Sequence, residues 1–178
     1  MEITLVRHGQ TEYNYQNRLQ GITNVMLNDT GRRQAHKLKE KIKNEKYDIC
    51  FSSPLIRALE TAMILVGDRV EIIRDNRLIE RNLGDYEGKD AKDYSSNNYW
   101  DYNLNCGDKG VEAVKDLLKR CQDFLDYIET YHKDQKILVV SHGAVIRGLH
   151  HLLNKTDLNG NLTNFKIDNC YIEKINTK

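Results

Sequence analysis

The sequence predicts an α/β protein, a three-layer α/β/α sandwich with a mostly parallel central sheet. Three observations carry this. Short apolar runs at Ile3–Val6, Asp48–Ser52 and Ile137–Val140 have the length and continuity of strands buried on both faces. Between them lie long stretches whose apolar residues recur at intervals of three and four, the helical period. Two of the strands break off alike, in Arg7-His8-Gly9 and in Ser141-His142-Gly143. In open α/β sheets the carboxyl ends of the strands form the crevice where ligands bind.

The elements follow in order. Ile3–Val6 is the first strand; Gly9 after it supplies conformational freedom. Gln10-Thr11-Glu12 begins a short helix with Thr11 as its cap. Free N–H groups at a helix start, beside Arg7 and His8, point to an anion. Arg18–Asn28 has no period and reads as loop, with Asn28 or Asp29 capping a helix over Thr30–Tyr47. There Ala35, Leu38 and Ile42 share one face. The lysines opposite are interrupted by Glu40 and Glu45, as on a solvated face.

After the Asp48–Ser52 strand, Ser53 is the expected cap and Pro54 the first-turn residue of a helix over Leu55–Val66. Arg57 falls in its first turn, where a cation opposes the helix dipole. That local cost points to an anion, the alternative being an exposed arginine paired with Glu60 or Glu71. Val70–Arg74 is a third strand. Residues 85–109 are irregular and rich in Asn, Asp and aromatics, as in a lid or insertion over a site. The alternative is a loop pinned to the core by its own tyrosines. A long helix over Val111–Tyr131, the Ile137–Val140 strand, a helix over Ala144–Leu153 and a strand over Asn169–Ile175 complete the chain.

Composition sets the bounds. A chain of 178 residues suits one domain spanning 1–178. Apolar content of 39%, charged content of 30% and a net charge of +1 describe a globular protein and exclude a strongly basic nucleic-acid binder. No apolar run reaches membrane-spanning length, and Met1-Glu2 opens no signal-peptide pattern, so a cytoplasmic protein without a membrane partner is expected. Cys50, Cys106, Cys121 and Cys170 form no CxxC and read as free thiols.

Taken together, the motifs resemble the histidine phosphatase superfamily, also called phosphoglycerate mutase-like. The resemblance lies in Arg7-His8-Gly9-Gln10-Thr11 with Asn14, then Leu19-Gln20-Gly21 and Leu27…Gly31. It continues through Ser52-Ser53-Pro54-Leu55-Ile56-Arg57-Ala58 with Thr61-Ala62, and Leu78-Ile79-Glu80. Gly84…Glu87-Gly88 and Ser141-His142-Gly143 close it. These motifs span most of the chain in the family's order. Tyr86 stands where a tryptophan is common among its phosphatases, and Asn24, Met26 and Asn28 where Asp, Pro and Thr are frequent.

The resemblance implies roles. His8 would be the nucleophile that takes the phosphoryl group, splitting a hard transfer into two easier steps. Arg7, Arg57 and His142 would clamp the phosphoryl oxygens, where arginine's planar fork suits phosphate. Glu80 would protonate the leaving oxygen and then take a proton from water. Asn14, Gln20, Gly21 and Gly143 would contact the substrate. No metal and no cofactor are expected, because the arginines supply the positive charge. The two arginines also favour a neutral, attacking imidazole at His8.

The expected function is hydrolysis of a small phosphomonoester through phosphohistidine. A cofactor-dependent phosphoglycerate mutase is the alternative. Mutases carry a Tyr and a Lys after the acid glutamate; here Leu83 replaces the tyrosine, and only Lys89 or Lys92 could replace the lysine. A non-catalytic phosphate-binding module is a second alternative, although a binder needs neither nucleophile nor acid. A metal held by His8, His142 and Glu80 is disfavoured by the adjacent arginines.

Overall fold

A computed structural model describes residues 1–94 and 96–177. Ser95, inside the 85–109 segment, and Lys178, the end of the 1–178 domain, lie outside the described residues. Five strands form one sheet: β1 (Glu2–Arg7), β2 (Ile49–Ser52), β3 (Ile72–Arg74), β4 (Lys136–Ser141) and β5 (Ile172–Asn176). Their spatial order is β3-β2-β4-β1-β5. All pairs are parallel except β1 with β5.

Alternation along the strands makes the layers. Ile3, Leu5, Phe51, Ile137 and Val139 face one cluster, shared with the helices α5 (Val114–His132) and α6 (Gly143–Leu153). Val6, Cys50, Leu138 and Val140 face the other, with α2 (Asp29–Lys41) and α3 (Ile56–Val66). Both faces are covered, which is why the central strands read as continuous apolar runs. Among the described residues, no helix is long and apolar enough to cross a membrane.

Several boundaries differ from the sequence expectation. α2 stops at Lys41 with Ile42 as its C-cap, because Lys43-Asn44-Glu45-Lys46 offer no further inward residue. α5 starts at Val114, not Val111. Val111 instead bridges to Leu83 and packs beside Tyr86 and Tyr99. β3 begins at Ile72. β5 begins at Ile172, because Cys170 takes φ 55 in a turn. Ser53 does not cap α3. Leu55 occupies the cap position without a side-chain bond, and the Ile56 N–H goes to Asn24 Oδ1 at 2.8 Å.

The irregular segment has its own small core. Tyr86, Tyr94 and Tyr99 pack together, Tyr94 and Tyr99 stacked at 4.8 Å between centroids. α4 (Ser96–Tyr99) leads into Trp100, whose carbonyl accepts from Leu162 N, while Tyr102 N donates to Gly160 O.

Candidate active site

The register of the sheet brings the site together. Arg7 lies opposite Ser141 in the β1–β4 pair, and Ser52 opposite Val140 in the β2–β4 pair. One residue further on, His8, His142 and Ser53 stand side by side at the carboxyl ends of three adjacent strands. His8 N donates to Ser141 O at 2.9 Å, and the two imidazoles meet edge-on with centroids 5.2 Å apart.

His8 is buried. Its Nδ1 lies 2.6 Å from Gly9 O, and a carbonyl can only accept. Nδ1 therefore carries the proton, and Nε2 presents a lone pair. Burial first, then Arg57 and Arg7, hold the His8 pKa well below the usual imidazole range. The neutral form follows from the direction expected of the arginines, with desolvation the larger cause.

Gly9 is a glycine for a reason other than flexible dihedrals. A Cβ there would sit 2.5 Å from Gly31 O, and a Cβ on Gly31 would sit 2.0 Å from Gln10 O. The loop after β1 and the first turn of α2 cross backbone to backbone, which only two glycines permit.

Arg57 is fully buried in the first turn of α3, so the reading of an exposed, paired arginine fails. Glu60 pairs instead with Arg32, at 2.6 Å. Arg57 Nε donates to His142 Nδ1 at 3.1 Å, one terminal nitrogen to Thr23 O at 2.8 Å and the other to Gly21 O at 2.7 Å. Each terminal nitrogen keeps a second N–H. Burial lowers the Arg57 pKa to about 10 against the opposing pull of Glu80.

Because His142 Nδ1 accepts, its Nε2 carries the proton and donates to Ser53 Oγ at 2.7 Å. The His142 pKa is also held well below its usual range, chiefly by burial and then by Arg57. Arg7 gives one terminal nitrogen to Ile167 O at 2.5 Å, while its buried Nε has no hydrogen-bond partner among the described residues. Such an orphan donor among cationic groups is a place for an anion.

Glu80 enters from a loop anchored by Ser141 Oγ, which donates to Leu78 O at 2.8 Å. Its Oε1 accepts from Arg81 N at 2.8 Å and from Ala144 N, at the start of α6, at 3.2 Å. Gly143 leaves space between Arg7 and Glu80: a Cβ there would lie 3.7 Å from Arg7 Nε and 4.0 Å from Glu80 Oε2. A cleft of about 360 Å³ opens beside Glu80, lined by Ile22, Ile79, Asn82, Glu112 and Arg120 among others. A larger cleft, about 660 Å³, lies at the opposite end of the sheet near Met1 and Thr177 and holds none of these groups.

The other expected contacts are supporting ones in this geometry. Asn14 forms a capping box with Thr11 on the short helix α1 (Glu12–Tyr15), and its Oδ1 also accepts from Asn169 Nδ2 at 3.1 Å. Gln20 accepts from Thr11 Oγ1 at 2.8 Å. Gly21 supplies the carbonyl for Arg57. Sequence reasoning missed Ser53 as the partner of His142, and Asn169, which donates to the His8 carbonyl at 3.2 Å. The sequence marks Ser53 as a helix cap and Asn169 only as the start of a strand; both act through contacts remote in sequence.

Comparison with known proteins gives the family. A profile of the histidine phosphatase superfamily (branch 1) matches residues 3–178. The chain belongs to that family. It is 38% identical over 159 residues to phosphoglycerate mutase-like protein 4 of Arabidopsis thaliana, covering 84% of this chain and 69% of that protein. It is 30% identical over 177 residues to a metal-independent phosphoserine phosphatase of Arabidopsis thaliana, covering 94% and 74%. The solved structure of Bacillus stearothermophilus YhfR superposes with a TM-score of 0.88 at 27% identity, covering 99% of this chain and 91% of that one. The family and the phosphatases among its relatives support a histidine-type phosphatase.

Proposed function

We propose that this histidine phosphatase hydrolyses a small phosphomonoester without a metal, through a phosphohistidine at His8. The observation that carries the reading is the His8 tautomer. Nδ1 keeps the proton and donates it to the Gly9 carbonyl, leaving Nε2 unprotonated beside Arg7, Arg57 and His142.

In the first step His8 Nε2 attacks phosphorus and the bond to the ester oxygen breaks. Glu80 gives that oxygen its proton, and the alcohol departs into the cleft beside Glu80. In the second step water attacks the phosphohistidine and Glu80 takes a proton from it. The P–N bond breaks and inorganic phosphate leaves. Arg7 Nε, the free N–H groups of Arg57 and His142 Nε2 meet the charge that builds on the phosphoryl oxygens. The His142 ring stays fixed by Arg57 at Nδ1, and its Nε2–H reaches the phosphoryl group when the Ser53 hydroxyl moves aside. Arg81, next to Glu80, ties the Glu80 loop to the tyrosine cluster by donating to Tyr99 O at 2.8 Å.

The test is phosphate release from a panel of phosphomonoesters with and without EDTA, alongside 3-phosphoglycerate primed with 2,3-bisphosphoglycerate. Release unaffected by EDTA and abolished by His8→Ala is expected. Isomerisation without release would replace this reading with a mutase, as the first-named relative suggests. Phosphate binding with no turnover of any ester would replace it with a binding module.

A further inference from the structure

Glu87-Gly88 has no role in the steps above, yet the Glu87 carboxylate is fully occupied. Its Oε1 accepts from Ile22 N at 2.9 Å and Leu83 N at 3.2 Å. Its Oε2 accepts from Thr23 N at 3.0 Å and Thr23 Oγ1 at 2.5 Å. Gly21 has φ 51, and a Cβ on it would lie 2.1 Å from Glu87 Oε1. The 21–23 loop thus turns its N–H groups toward Glu87 and its carbonyls, Gly21 O and Thr23 O, toward Arg57.

We propose that Glu87 is a positioning residue for the phosphate clamp, acting through the backbone of residues 21–23 to set the Arg57 guanidinium. The inference rests on the reading that Arg57 holds the phosphoryl group. Four donors converge on two oxygens, which a carboxylate accommodates and an amide does not: glutamine would turn an NH2 toward one pair of N–H or O–H donors. The Glu87 charge also pulls the Arg57 pKa upward, against burial. A guanidinium released from these carbonyls also loses its aim at His142 Nδ1. The surrounding backbone has its own bonds, Leu19 N to Lys89 O and Gly88 N to Leu19 O, which do not depend on the side chain.

The experiment is a double-mutant cycle on the dissociation constant of inorganic phosphate, using Glu87→Gln, Arg57→Lys and both together, with thermal midpoints measured in parallel. Lysine keeps a charge for phosphate but cannot bond both carbonyls. Glu87→Gln is expected to weaken phosphate about tenfold in the unaltered background and less than about twofold in the Arg57→Lys background. Equal factors in both would show a merely structural role and overturn the inference. If Glu87→Gln does not fold, Thr23→Val replaces it. That variant is expected to weaken phosphate about threefold with Arg57 present and not at all with Arg57→Lys, and equal losses again overturn the inference. Unaltered protein that binds no phosphate would overturn the proposed function and this inference with it. Phosphate binding with uncoupled variants would overturn the role of Glu87 alone.

Discussion

Each group at the site is defined by what its neighbours leave free. Gly9 and Arg57 take one ring nitrogen each from His8 and His142, so the two imidazoles present opposite chemistry, a lone pair and an N–H. Glu80 is held by Arg81 N and Ala144 N through Oε1 and faces the cleft. If it is the acid, Glu80→Gln should slow hydrolysis of alkyl phosphates by roughly 10²–10⁴ and of p-nitrophenyl phosphate by less than about tenfold, since a good leaving group needs no proton. Steady-state kinetics on the two ester classes checks this; equal losses would remove Glu80 from the role.

Elements deliver these residues, and their ends decide the accuracy of delivery. Asn28 Oδ1 caps α2 through Gly31 N at 2.8 Å, and its amide donates to Gln10 Oε1, tying the cap to the loop after β1. Asn28→Ala should cost about 1 kcal/mol in urea unfolding, and Asn28→Asp much less. A loss below about 0.3 kcal/mol for alanine would mean that water replaces the cap. This cap was one of two the sequence offered, Asn28 or Asp29. The strands and helical faces were legible from their apolar patterns. Arg7, His8 and His142 stand where an apolar run stops, Arg57 at a helix start, and Glu80 in a loop where the family resemblance singled it out. Other features were not legible. The cap on Ile56 comes from Asn24, across a loop without periodicity. The start of α5 was read too early because Val111 fits the helical spacing yet spends its side chain on the tyrosine cluster. The motif Glu87-Gly88 was visible as a pattern, but its partners Ile22 and Thr23 exist only once the loops are folded together.

At the scale of the whole molecule, three buried histidines whose pKa is held down, His8, His142 and His151, link stability to pH. The unfolded chain takes up protons on these side chains near pH ~6.5, whereas the folded chain resists them, at His8 and His142 to well below that. Below pH ~6.5 the unfolded state binds more protons, so stability falls as pH falls; above it the histidine contribution is flat. Each histidine adds at most about 1.4 kcal/mol per pH unit to the slope. Glu45, lowered to about 2 by Lys136 and Lys174, is lost only at lower pH and leaves this window clear. Thermal midpoints from pH 8 to 5 should therefore hold and then decline, and His8→Asn should decline less steeply; an unchanged slope in that variant would place the linkage elsewhere. The placing of β1 between β4 and β5 has a further effect, on the order of events when the chain is made. The amide that holds the His8 carbonyl, on Asn169, is made 161 residues after it. Such remote closure is slow to search for. A chain still being made therefore carries His8 long before the contacts that hold it can close.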